Sequence, residues 1–85
     1  MLAECLILLF TQTGCSSCNV AKHYLERMSM PYRVVSIEEN RELARMYGVW
    51  GSPTLVLIKG NAVISRYYGF NPEGVKDWYK EKCSS

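Results

Sequence analysis

Cys15 and Cys18 stand three residues apart in the stretch TQTGCSSCNVAKHYLERM, residues 11–28. Thiols at that spacing can do one of three things. They can cycle between dithiol and disulfide, supply half of a metal site, or fill space as two small side chains. Cysteine reacts as its thiolate, so placement decides between these. An apolar run precedes the pair and a helical pattern follows it, so Cys15 falls where a strand hands over to a helix. The unsatisfied first N–H groups of a helix, and its dipole, favour an anion there. Cys18 lies on the same side of the first helical turn, within reach of Cys15. The expected chemistry is attack by Cys15 on a disulfide, a mixed disulfide, and resolution by Cys18. Ser16 and Ser17, between the cysteines, are expected to cap the helix or to donate hydrogen bonds to sulfur.

A zinc site requires about four ligands. Cys5, His23 and Cys83 are the residues left to complete one. His23 follows Cys18 by five positions, which turns it away from the cysteine face of a helix. The pattern favours a redox couple with no metal and no cofactor, and a metal- or Fe–S-binding module is the alternative. His23 is expected on a solvated helix face. Cys5 suits a buried strand position, where free cysteine packs as a small hydrophobe. Cys83 is near a chain end, and sequence alone supplies no distance for a Cys5–Cys83 bridge.

The elements that must hold this pair follow from period and turn chemistry. LILLF, residues 6–10, is a short continuous apolar run, the mark of a strand buried on both faces. Val20, Ala21, Tyr24, Leu25 and Met28 then recur at helical spacing as one core-facing stripe. Pro31 closes that region, and YRVVSI, residues 32–37, reads as a second strand, completing a right-handed βαβ unit. Asn40 is placed to cap a second helix with Leu43, Ala44 and Tyr47 on its apolar side, and Gly48 suits its left-handed terminus. TLVLI, residues 54–58, is another doubly buried strand. Lys59-Gly60-Asn61 turns it into the antiparallel AVISRYY. Asn71 caps a last helix, Pro72 fits its first position, and Val75, Trp78 and Tyr79 form its apolar face. The order β-α-β-α-β-β-α predicts an α/β domain over residues 1–85, a four-stranded mixed sheet with helices on both faces.

Composition limits the function. The chain has 85 residues, enough for one small domain. Its net charge is only +2 and it has no dense Lys/Arg block, so no nucleic-acid partner is expected. Lys76, Lys80 and Lys82 belong to the solvated side of the last helix. No run of about 20 apolar residues is present, so no membrane helix is expected. The opening MLAECLILLF lacks a basic start, carries Glu4 and ends its apolar run at Phe10, which favours a strand over a leader peptide. Gly14-Cys15 is a poor lipoprotein site, with Gln12 upstream and no basic region before it. A monomer in a reducing cytoplasm is the expectation, where a close cysteine pair is more often catalytic or metal-binding than a staple.

The βαβ opening with C-x-x-C at its first helix, together with YGVWGSPTLVLIKGNAV at residues 47–63, resembles the thioredoxin superfamily. The second segment is similar to thioredoxin, in which Gly-x-x-Gly-x-Pro-Thr leads into a hydrophobic strand. The first is closer to glutaredoxin, with Gly14 before the motif and Ala21-Lys22 after it. The resemblance covers residues 6–82 and implies a minimal thioredoxin fold and protein-disulfide reductase activity. It implies a cis Ser52–Pro53 bond beside the cysteines, with the Ser52 backbone offered to an extended substrate segment. Gly69 stands where the family keeps a glycine beside the same groove, and Trp50, in the loop before Pro53, is placed to flank it. Trp78 is expected in the core.

The departures carry information too. Thioredoxins place Trp before the first cysteine, where this chain has Gly14, and bury an Asp six positions before it, where this chain has Leu9. The Lys that partners that Asp is replaced by an apolar residue of RVV, so water or the departing thiolate must take the Cys18 proton. Against glutaredoxin, the basic residue before the motif is absent, Thr-Val-Pro has become Gly-Ser-Pro, and no Gly-Gly-x-Asp follows the last strand. The implied electron source is a flavin-dependent disulfide reductase, with a glutathione-dependent glutaredoxin as the alternative. The implied clients are disulfide-containing proteins, and an electron donor dedicated to one partner enzyme would share the chemistry.

Overall fold

A strand with helices on both sides must alternate its side chains between two cores, and β1 (Cys5–Thr11) does so. Cys5, Ile7 and Leu9 point into one core, and Leu8 and Phe10 into the other. In the computed structural model, which describes residues 4–84, the elements that follow are α1 (Ser16–Arg27), β2 (Tyr32–Ser36), α2 (Arg41–Met46), β3 (Thr54–Lys59), β4 (Ala62–Tyr68) and α3 (Pro72–Cys83). Residues 1–3 of the segment weighed above as a leader lie outside the described residues.

The sheet order is β2-β1-β3-β4. β1 runs parallel to β2, with Leu9 opposite Val34, and antiparallel to β3, with Leu9 opposite Leu55. β3 and β4 form the hairpin, Lys59 opposite Ala62 across Gly60-Asn61, with a bulge between Leu57 and Ile58. α1 and α3 cover one face, where Ala21, Leu25, Val75 and Trp78 pack on Ile7, Leu9, Leu55 and Leu57. α2 covers the other, with Ala44 against Leu8, Phe10 and Val56. Trp78 is core, and its indole N–H donates to Ser65 Oγ at 2.8 Å. No helix among the described residues is long and apolar enough to cross a membrane.

Several local expectations need correction. The inward stripe of α1 is Cys18, Ala21 and Leu25, with Met28 partly buried. Val20 is 49% exposed and Tyr24 37%, because the first buried residue, Cys18, sets the helix phase. Tyr24 instead lies over Phe70, ring centroids 6.0 Å apart. The cap of α1 is Cys15 itself, whose Sγ accepts the Cys18 N–H, and neither Ser16 nor Ser17 takes that place. Asn40 occupies the N-cap position of α2 without a side-chain cap bond. Its amide donates to the Ser36 carbonyl at 2.9 Å and ties the helix start to the end of β2. Asn71, by contrast, caps α3 through the Gly74 N–H at 3.0 Å.

The C-terminal ends of α1 and α2 close in the same way. After α1, the N–H groups of Ser29 and Met30 reach back to the carbonyls of Glu26 and Leu25, with Ser29 left-handed at φ 54°. After α2, those of Gly48 and Val49 reach Arg45 and Ala44, with Gly48 at φ 72°. Arg66 Nε donates to the Tyr47 carbonyl and Tyr68 Oη to that of Gly48 at 2.7 Å. β4 thereby holds the start of the loop that delivers Pro53.

Candidate active site

Cys15 and Cys18 are joined by a disulfide, with Cα atoms 5.3 Å apart. The strand and helix positions explain why they meet. β1 ends at Thr11, residues 12–14 turn the chain, and Gly14 takes φ 79°, a backbone region that side chains disfavour. Cys15 is extended, φ −90° and ψ 98°, and its Sγ accepts the Cys18 N–H at 3.1 Å. The sulfur thus occupies the seat of a helix-capping oxygen, at the positive end of the α1 dipole. The two partners differ in access: Cys15 is half-buried, whereas Cys18 is 4% exposed. As members of a disulfide, neither sulfur titrates in this form.

Two open clefts flank the pair. One, of about 370 Å³, is bordered by Cys15, Cys18, Gln12, Asn19, Lys22 and Val34. The other, of about 410 Å³, is bordered by Cys15, Ser16, Ser17, Gln12, Glu38 and Ser52. The first carries a cationic side chain and the second an anionic one, so the two approaches to Cys15 differ in sign. Leu9 is fully buried, and Val34 lines the Lys22 cleft while 47% exposed. Among the described residues, no carboxylate borders the cleft that Cys18 lines.

Ser52, Pro53 and Gly69 come together on the Glu38 side. The Ser52–Pro53 bond is cis, and the Gly69 N–H donates to the Pro53 carbonyl at 2.8 Å. None of the loop backbone hydrogen bonds among the described residues involves Ser52. Trp50 does not join the group around the sulfurs. It is 88% exposed and borders a separate cleft with Ile37, Arg41 and Val49 on the α2 side. His23 is exposed on α1, ring edge against Tyr24 at 5.7 Å.

Sequence reasoning missed two tethers of the site. Ser52 Oγ donates to Gln12 Oε1 at 2.9 Å and links the proline loop to the loop that carries the cysteines. Glu38 accepts the Thr13 N–H at 3.1 Å and the Thr13 hydroxyl at 3.1 Å, fixing the turn just before Gly14. Gln12 and Ser52 lie 40 residues apart, Thr13 and Glu38 25, and no local pattern marks either pair. The parallel β1–β2 pairing was the available signal for the second, because it brings the ends of both strands to one edge.

A C-x-x-C disulfide at the start of α1, on this sheet order and beside a Pro-Thr strand head, defines a thioredoxin-superfamily redoxin. Residues 7–63 match the glutaredoxin family model, and the chain belongs to the glutaredoxin family. The SPbeta prophage-derived thioredoxin-like protein YosR of Bacillus subtilis is 28% identical over 71 residues, covering 82% of this chain and 89% of that protein. Among solved structures, a mutant thioredoxin of Halobacterium salinarum superposes at TM-score 0.84 with 23% identity, over 95% of this chain and 76% of that one. Thioredoxin NaTrxh of Nicotiana alata gives 0.85 with 19% identity, over 98% and 76%. These structures share the fold. Family and disulfide together support thiol–disulfide oxidoreductase activity.

Proposed function

We propose that this protein reduces disulfides in protein substrates through Cys15 and Cys18. The observation that carries the reading is the capped sulfur: Cys15 Sγ is the more accessible of the pair and receives the Cys18 N–H at 3.1 Å. In the dithiol form that N–H and the helix dipole stabilise a Cys15 thiolate. The thiolate attacks one sulfur of the client disulfide, forming a mixed disulfide and releasing one client thiolate. Cys18 gives up its proton and attacks Cys15 Sγ; the second client sulfur leaves with the bonding pair, and the Cys15–Cys18 disulfide remains. Two electrons pass to the client; Cys18 supplies one proton, and the other client thiolate takes its proton from solvent. With Leu9 buried and no carboxylate among the described residues bordering the Cys18 cleft, the departing thiolate or water takes the Cys18 proton.

Ser52, Pro53 and Gly69 form the client-binding edge, and the unengaged Ser52 backbone pairs with an extended client strand. Trp50 offers a more distant apolar contact for the same client. A flavin-dependent disulfide reductase regenerates the dithiol, and the protein works as a cytoplasmic monomer. Glutathione is the second reading of the electron source, favoured by the family match and by Lys22 in the Cys18 cleft, which suits a carboxylate. The metal-module alternative loses its remaining ligands, since Cys5 and Cys83 are bonded to each other and His23 is exposed on α1.

Insulin reduction tests the proposal. Wild-type protein with a dithiol donor is expected to turn insulin over, and Cys15→Ser to abolish it. Unchanged turnover in Cys15→Ser would overturn the reading. Stoichiometric metal in reduced protein, without thiol exchange, would move it to the alternative.

A further inference from the structure

The chain carries a second disulfide, Cys5–Cys83, with Cα atoms 6.1 Å apart and its two ends 78 positions apart in sequence. We infer that this bridge is a standing structural clasp that stays closed while Cys15–Cys18 opens and closes. Position separates the two. Cys5 begins β1 and pairs with Lys59, whereas the Cys15 turn follows the other end of the strand, beyond Phe10 opposite Thr54. At about 3.3 Å per residue, β1 alone spans roughly 20 Å, so neither active-site sulfur reaches the bridge within one molecule. Opening it requires an external thiol.

Access separates them further. Exchange proceeds by in-line attack on one sulfur, and its rate depends on reaching that sulfur. Cys15 borders two open clefts. Cys5 is 4% exposed within the core cluster of Ile7, Leu25, Leu57 and Trp78, although its residue edges a cleft with Glu4 and Arg33. Cys83 is half-buried, and its carbonyl accepts a hydrogen bond from Lys59 Nζ at 3.4 Å. With Cys5 sunk in the core, an external thiol reaches this bridge less readily than it reaches Cys15.

The clasp has a clear structural task. α3 buries Val75 and Trp78 and partly buries Tyr79, but Lys80, Glu81 and Lys82 are exposed. Cys83 is the contact that pins the last turn to β1. When an external dithiol opens it, one dithiol sulfur attacks the bridge and a protein thiolate leaves. The second dithiol sulfur then closes its own ring, and Cys5 and Cys83 end as two thiols.

The test is graded reduction of the native protein with dithiothreitol, followed by alkylation and mass mapping of each cysteine. Cys15 and Cys18 are expected to label first, and Cys5 and Cys83 only at dithiol concentrations about tenfold higher or after unfolding. Labelling of all four together, or free Cys5 and Cys83 in the otherwise oxidised protein, overturns the inference. A Cys5→Ser/Cys83→Ser variant is expected to keep insulin turnover within about twofold while its Tm falls by on the order of 20 °C. An unchanged Tm, or lost turnover in a folded variant, also overturns it. If that variant does not fold, the labelling order on wild-type protein decides. The labelling order reads the bridge itself, so it stands whether or not insulin is a client.

Discussion

The first turn of α1 contains no acidic residue, and this absence can be used to test the Cys15 thiolate. A free thiol titrates near 8.5. The helix N-terminus contributes about 0.3–1 kcal/mol to an anion at its end, and a hydrogen bond to a charged acceptor about 1.5–3 kcal/mol. Both act in the same direction, so in the dithiol form the Cys15 seat holds the thiol below the ordinary cysteine value and enriches the thiolate. Ser17→Glu places a carboxylate in the same first turn as the capped sulfur. For charges about 7 Å apart at an effective dielectric constant of about 40–80, the repulsion disfavours the thiolate by about 0.6–1.2 kcal/mol and so raises the thiol's pKa. Alkylation below the pKa should slow about three- to tenfold. The same carboxylate complements the dipole and should stabilise the fold by about 0.3–1 kcal/mol, raising Tm by a few degrees. Stability and reactivity thus move in opposite directions, which separates an electrostatic effect from a loosened helix. The assay is iodoacetamide reaction against pH in reduced Cys18→Ser protein, with and without Ser17→Glu, beside a thermal melt. A Cys15 thiol titrating at its free value, or unmoved by Ser17→Glu, would refute the reasoning.

Two further outcomes follow from the packing. Gly74→Ala would gain helix propensity of up to about 1 kcal/mol, yet its Cβ would lie 2.3 Å from the Tyr67 hydroxyl, whose ring packs on Trp78 at 5.6 Å. A net loss of about 1 kcal/mol is expected in urea melts, reversed in a Tyr67→Phe background; destabilisation that persists there would contradict the steric account. Burial first, and Glu4 second, hold the Tyr79 phenol above its usual 10. The folded state then retains a proton that the unfolded chain releases. Tyr79 therefore contributes stability below pH 10 that is lost as pH rises through its folded value. Denaturation against alkaline pH should show this decline in wild-type protein and a shallower one in Tyr79→Phe.

Much of the fold was legible because each element had one dominant signal. The apolar runs at residues 6–10 and 54–58 have the pattern of strands buried on both faces, and they became β1 and β3. Asn71-Pro72 announced α3 by capping chemistry, and the structure keeps that bond. The phase of α1 was less legible, since Val20 and Tyr24 match the helical period but the burial of Cys18 turns them outward. Asn40 marked the start of α2, but the Ser36 carbonyl, four residues back at the end of β2, claimed its side chain. The cysteine pair was visible from placement alone. The tethers around it were not, because Gln12–Ser52 and Thr13–Glu38 are products of topology rather than of neighbouring residues. The clasp is the extreme case: two cysteines 78 residues apart carry no pairing information until the sheet and α3 bring them together.

The central claim is that one sulfur, Cys15, makes the covalent link to the client. Cys18→Ser protein, reduced and mixed with insulin, isolates that step, because the resolving thiol is gone. A one-to-one mixed disulfide that maps to Cys15 and disappears on reduction is expected. No adduct, or one carried by Cys5 or Cys83, would contradict it.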